Sequence, residues 1–123
     1  MDIKTKITKN GAKWQLVNET WETSRAWGHR TIAIRNGYDY EEHKVRYLNR
    51  TWEMYTYQSC MSGAIETIYE NELNRYIENY KTSNNIDRFK KGQKEQVIEE
   101  FKNEPIAQEL LEVKEAISTR NFD

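Results

Sequence analysis

Side chains able to do covalent or metal chemistry are few and scattered in this chain of 123 residues. Its one thiol, Cys60, stands in Gln58-Ser59-Cys60-Met61, where the spacing predicts helix and no glycine-rich elbow precedes it. A thiol so placed reads as a small buried hydrophobe rather than a nucleophile. The two histidines, His29 and His43, fall apart along predicted strands and share no short ligand spacing with each other or with Cys60, so no metal site is expected. Glu42-His43-Lys44 has the Glu-x-Lys spacing by which one strand can offer a carboxylate to an ion and a lysine to a phosphate. Such a site needs a second carboxylate on a neighbouring strand. Asp39 is only three residues earlier, in a predicted loop, and Glu42 is expected to lie opposite Arg35. Neither Gly-x-x-x-x-Gly-Lys nor Gly-x-Gly-x-x-Gly occurs, so a phosphate cradle is not expected either. The reading is a non-enzymatic protein without cofactor or metal.

What the sequence does concentrate is cations and aromatic rings. Residues 1–50 carry 10 basic and 6 acidic side chains, whereas residues 51–123 carry 9 basic and 14 acidic. In the first half Trp14, Trp21 and Trp27 are interleaved with lysines and arginines. A basic, aromatic sheet could track a phosphate backbone and stack bases, and Trp27, Arg30, Arg35, Lys44 and Arg46 are the residues such a nucleic-acid reading selects. Against it, the pI is about 6.2 and the acidic second half weakens non-specific attraction to nucleic acid. Lysines that merely solvate the open face of a half-covered sheet leave the same pattern.

These residues need elements to position them. Leu, Ile, Val and Phe total 23, close to the ~20% below which disorder becomes a concern. A net charge of −1 with 4 Trp, 8 Tyr and 3 Phe argues for a folded chain whose core leans on aromatic rings. Residues 1–123 are read as a single domain, with a β-sheet part over 1–49 and a helical part over 50–121. Lys4 to Lys9 reads as a strand, and Asn10-Gly11 as a type I′ hairpin turn with positive φ at both central residues. Trp14, Leu16 and Asn18 alternate in a second strand; Glu19 to Arg25 fits more than one conformation, with Trp21 favouring strand continuation and a bulge before Gly28 as an option. Arg30 to Arg35 and His43 to Leu48 form a further hairpin across Asn36-Gly37, either with Ile32 facing Val45, Arg35 facing Glu42 and Asn36 to Glu41 as the loop, or with a tighter turn and a bulge. From Asn49 the period changes. Met54, Tyr57, Met61, Ala64 or Ile65, Ile68, Leu73, Tyr76 or Ile77 and Tyr80 follow three-and-four spacing, predicting one long helix. Ile86, Phe89, Gln93, Val97 and Phe101 mark a second helix weakened by Gly92. Pro105 opens a third, with Ile106, Leu110, Val113 and Ile117 as its stripe. Strands first and helices after make an α+β fold: an antiparallel sheet of three to five strands, one long helix and two shorter ones. The last helix could close the core or join a second copy, which makes a homodimer one of the expected states. One cysteine allows no internal disulfide, no apolar run is long enough to cross a membrane, and no leader is apparent, so a cytoplasmic setting is expected.

The densest segment is Tyr47-Leu48-Asn49-Arg50-Thr51-Trp52-Glu53-Met54-Tyr55-Thr56-Tyr57-Gln58, read as a strand-to-helix junction. Trp52 and Tyr55 are left over by the predicted core stripe. Exposed Trp, Tyr and Arg are the residues that anchor protein interfaces, so Arg50, Trp52 and Tyr55, with the turn around Tyr38 and Tyr40, form the expected partner-binding surface. The same segment, Tyr-x-Asn-Arg-Thr-Trp-Glu-x-Tyr-x-Tyr-Gln, resembles a motif of small uncharacterised proteins encoded by phages and plasmids of low-GC Gram-positive bacteria. The resemblance covers roughly residues 25–70 and brings no activity with it. It implies an accessory protein of a mobile element that binds and blocks a host protein, of which anti-CRISPR and anti-restriction inhibitors are the known kind.

Overall fold

A computed structural model describes the backbone of residues 2–22, 24, 27–41, 44–56 and 61–122, and the side chains of residues 3–20, 22, 24, 31–35 and 61–122. Four strands, β1 (Asp2–Ile7), β2 (Lys13–Glu22), β3 (Trp27–Glu41) and β4 (Lys44–Thr56), form an antiparallel sheet in the order β1-β2-β3-β4. Three helices follow: α1 (Met61–Ser83), α2 (Gln93–Phe101) and α3 (Pro105–Thr119). The expected α+β architecture, with one long helix and two shorter ones, is the one observed.

Three local expectations are corrected. First, the Asn10-Gly11 turn is not type I′. Gly11 N–H donates to Thr8 O at 2.9 Å, Thr8 N–H donates to Ala12 O at 2.9 Å, and φ is positive at Gly11 (+88°) but not at Asn10. This is a three-residue hairpin loop closed by a left-handed glycine, the next commonest solution after two-residue loops. Thr8, only 3% exposed, organises it: its hydroxyl donates to Asn10 Oδ1 and accepts from Ala12 N–H.

Second, Asn36-Gly37 is not a turn. It lies within β3, paired with Asn49 and Leu48, and the two long strands run on to Glu41 and Lys44. Ile32 therefore stands opposite Glu53 instead of Val45, and Arg35 opposite Arg50 instead of Glu42. Third, residues 50–56 are strand, not helix, so the sheet extends beyond residue 49 and α1 begins only at Met61. Tyr47, Thr51, Trp52, Tyr55 and Thr56 are β-favouring types, and pairing with β3 outweighs a three-residue spacing from Met54 to Tyr57 that a helix would also satisfy. The Tyr47–Gln58 motif is thus carried by β4 as far as Thr56, with Tyr57 and Gln58 outside the described residues.

The register continues without a slip from β1 to β4, so successive residues fall alternately into two sets of rows. One set holds Trp14, Leu16, Thr31 and Ala33, none more than 1% exposed. These side chains meet Met61, Ile65 and Ile68 of α1 and Leu110 and Val113 of α3, making a two-layer core. Within the same row Thr31 donates its hydroxyl to Asn18 Oδ1 at 2.7 Å, so the polar pair is satisfied where it is buried. The helices bury most of the stripes their spacing predicts: Met61, Ala64, Ile65, Ile68 and Ile77 in α1, Val97 and Phe101 in α2, Leu110 and Val113 in α3. In α1, though, Glu72 is buried where Leu73 is expected, and Leu73, Ile106 and Ile117 are half-buried. The stripe drawn from Ile86 to Phe101 is not one helix, however. Gly92 adopts a left-handed conformation (φ +81°) as the N-cap of α2, which starts only at Gln93. α2 docks on the outer half of α1, with Phe101 wedged between Tyr69 and Tyr76 at ring separations of 5.2 and 5.4 Å.

Candidate interaction surface

The helices cover one side of the sheet. On the other side the register sets Ile3, Val17 and Ile32 in one row and Thr5, Gln15 and Ile34 in the next, with Ile7 and Lys13 beside them. None of these residues belongs to the core cluster. Ile3 is 49% and Ile7 51% exposed, and Ile32 and Ile34 are half-buried. Val17, flanked across the strands by Ile3 and Ile32, is itself buried at 9% exposure. Ile3 and Ile7 of β1 and Ile32 and Ile34 of β3, with the buried Val17 of β2 between them, therefore put apolar side chains on this side of three adjacent strands.

The same rows extend along β3 and β4. Positions 30, 32, 34, 36, 38 and 40 alternate with the covered ones, and their β4 counterparts are Tyr55, Glu53, Thr51, Asn49, Tyr47 and Val45. Three of the five expected partner-binding residues, Tyr38, Tyr40 and Tyr55, therefore occupy register positions on the uncovered side. The other two do not. Trp52 pairs with Ala33 and Arg50 with Arg35, in rows of the helix-covered side. The side chains of all five lie outside the described residues. Beyond Asn36 the β3–β4 ribbon has no β2 partner, and there Asp39 pairs in register with Arg46 and Glu41 with Lys44. Opposite charges directly across a ladder stabilise a ribbon that has no third strand to lean on.

The residues selected for nucleic acid are not brought onto one face. Arg30 occupies the uncovered side, whereas Trp27, Arg35, Lys44 and Arg46 fall in the opposite rows. Arg35 is the one of these whose side chain is described, and it is engaged. Its Nε and a terminal nitrogen donate to the two carboxylate oxygens of Glu109 at 2.8 and 3.1 Å, and only 15% of the side chain is exposed. Glu109, 1% exposed, also accepts from Trp14 Nε1 at 3.2 Å. Sequence reasoning missed this carboxylate, because Glu109 sits one position off the apolar stripe of α3 and looks solvated. Lys4 and Lys6 share rows with Leu16 and Trp14, and Lys6 lines a cleft with Lys9 and the acidic Glu112 and Glu115 of α3. Lys6 and Lys9 thus share their cleft with two carboxylates. A second tie between the layers is Glu112, which accepts Lys9 N–H at 3.0 Å and holds the hairpin tip to α3.

Among the described residues no group of three or more His, Cys, Asp or Glu side chains could hold a metal ion. His43, Cys60 and Glu42 lie outside the described residues, and His29 is placed by its backbone alone, opposite Thr20 and Thr56. No described helix is long and apolar enough to cross a membrane. Compared with protein-family models, curated proteins and solved structures, the chain matches none of them.

Proposed function

We propose that this chain is a binding protein, not an enzyme, and that it acts by docking the uncovered side of its sheet onto a host protein. The observation that carries the reading is the apolar group of Ile3, Ile32 and Ile34 around the buried Val17, on the side of the sheet opposite the core cluster of α1 and α3. An apolar centre ringed by polar positions such as Thr5, Lys13, Gln15 and Glu19 is the usual anatomy of a protein interface. The resemblance of the Tyr47–Gln58 segment to proteins of phages and plasmids supplies the class of partner: a defence protein of the host, such as a CRISPR or restriction nuclease. Inhibition follows if the docked sheet occludes a surface that the nuclease needs.

The test is to express the tagged chain in a low-GC Gram-positive host, crosslink, and identify the captured protein, then repeat with Ile3→Lys and Ile34→Lys. Support requires a nuclease that the purified chain binds and inhibits in isolation, with both variants losing capture while melting like the parent. A captured protein that both variants hold equally well overturns the proposed surface. A gel shift on generic duplex DNA that weakens steeply with salt would replace the reading with nucleic-acid binding. A stable dimer that both variants dissociate would assign the face to a second copy of the chain.

A further inference from the structure

A second surface lies on the helical layer, independent of the sheet. α1 and α3 diverge enough to leave a groove of about 330 Å³ that opens to solvent. Its floor is Ile65 and Leu110, each 1% exposed, so it is cut into the rigid core. One wall is Tyr69, fixed edge-on against Phe101. The other is Leu111, which at 46% exposure is among the most exposed large apolar side chains described. The rim is charged. Lys114 reaches across from α3 to Glu66 at 3.0 Å, which leaves Glu70, one turn further along α1, with no ion pair among the described residues.

We infer that this groove seats an amphipathic helix of a partner protein, which inserts an apolar side chain between Tyr69 and Leu111 and sets a lysine or arginine against Glu70. The volume admits an apolar side chain, which would rest on the Ile65 and Leu110 floor inside the charged rim of Glu66, Glu70 and Lys114. The shape argues for a helix, because the furrow between two packed helices is what a third helix fills with residues at three-and-four spacing. The charge argues for a cation: Lys114 is spent on Glu66, so an incoming positive group meets the unneutralised Glu70 and an incoming carboxylate meets repulsion.

The probe is a fluorescein-labelled amphipathic helix of leucine and lysine, roughly four turns long, with a leucine–glutamate helix of equal length as its counterpart. Fluorescence anisotropy should show saturable one-to-one binding of the lysine probe and none of the glutamate probe. Leu111→Glu should weaken binding about tenfold or more, because an apolar anchor site is lost. Glu70→Lys should weaken it about fivefold, and Glu95→Lys, on exposed α2, should leave it unchanged. Circular dichroism melts of all three variants should superimpose on the parent. No binding of the lysine probe, equal binding of both probes, or equal loss in all three variants would overturn the assignment. Equal binding of both probes would mean apolar association without charge selection, and a Glu95→Lys loss as large as that of Glu70→Lys would mean diffuse attraction to an acidic surface.

Discussion

Replacing Glu109 with alanine should unfold much of what holds the two layers together. Its carboxylate is sealed at 1% exposure, and it takes two hydrogen bonds from Arg35 and one from Trp14. Such a pair adds little net stability when both partners are present, since desolvating two charges offsets much of their attraction. Removing one partner is different. The Arg35 guanidinium, 15% exposed, stays enclosed without its counter-ion, a loss of about 3–5 kcal/mol. That is a large share of the roughly 5–15 kcal/mol that holds a domain together. At about 2.1 cal/mol/K per residue the unfolding entropy is near 0.26 kcal/mol/K, so the melting temperature should fall by about 12–19 °C. Thermal and urea melts of Glu109→Ala, Arg35→Met and the double variant Arg35→Met/Glu109→Leu measure it. The double variant should melt above Glu109→Ala, because it leaves no unpaired charge inside. A loss under about 1 kcal/mol for Glu109→Ala, or a double variant that loses the sum of the two single ones, would refute the buried pair.

Three further outcomes follow from local geometry. Gly11→Ala should cost about 1 kcal/mol in a urea melt, all of it backbone strain at φ +88°, because no neighbouring atom obstructs a Cβ there. Arg120→Gly should stabilise by roughly 0.5–1 kcal/mol in the same assay. Arg120 holds a left-handed conformation just past α3, where Asn121 N–H donates to Ala116 O and Arg120 N–H to Ile117 O in a Schellman closure that glycine enters without strain. Tyr76 has its phenol held above the ordinary value of 10, first by burial and then by Glu104 and Glu100 nearby. Folding therefore favours the neutral phenol: its contribution is intact below the unfolded value and is lost as pH rises through the folded one. The alkaline fall in melting temperature should be shallower in Tyr76→Phe than in the parent, and identical slopes would contradict this.

The helical half was legible because burial there follows a single period, and Met61, Ile65 and Ile68, or Leu110 and Val113, had no competing arrangement. The boundary at β4 was not. Met54 and Tyr57 stand at helical spacing, while Thr51, Trp52 and Thr56 favour strand, and only the long partner β3 decides between them. Asn36-Gly37 misled for a related reason: a turn-forming dipeptide was absorbed into a ladder, Asn36 between Lys13 and Asn49 and Gly37 opposite Leu48. That one misplaced turn shifted the whole β3–β4 register, and with it Arg50 and Trp52 moved from the expected surface to the rows of the covered side. Tyr38 and Tyr40, expected in a turn, and Tyr55, expected on a helix, fall instead at strand positions in the rows of the uncovered side. Glu109 was invisible in principle, since its burial depends on an arginine and a tryptophan that arrive from two strands 74 and 95 residues away in the chain.

Two neighbouring lysine substitutions on β3 test the two-sided sheet most directly. Ala33, 0% exposed, faces the helices, and Ile34, half-exposed, is the next residue and faces away. Ala33→Lys should fail to fold or lose more than about 4 kcal/mol, whereas Ile34→Lys should lose no more than about 1 kcal/mol and still melt cooperatively. If Ile34→Lys collapses as badly as Ala33→Lys, both sides of the sheet are interior, and no free surface remains for a partner to occupy.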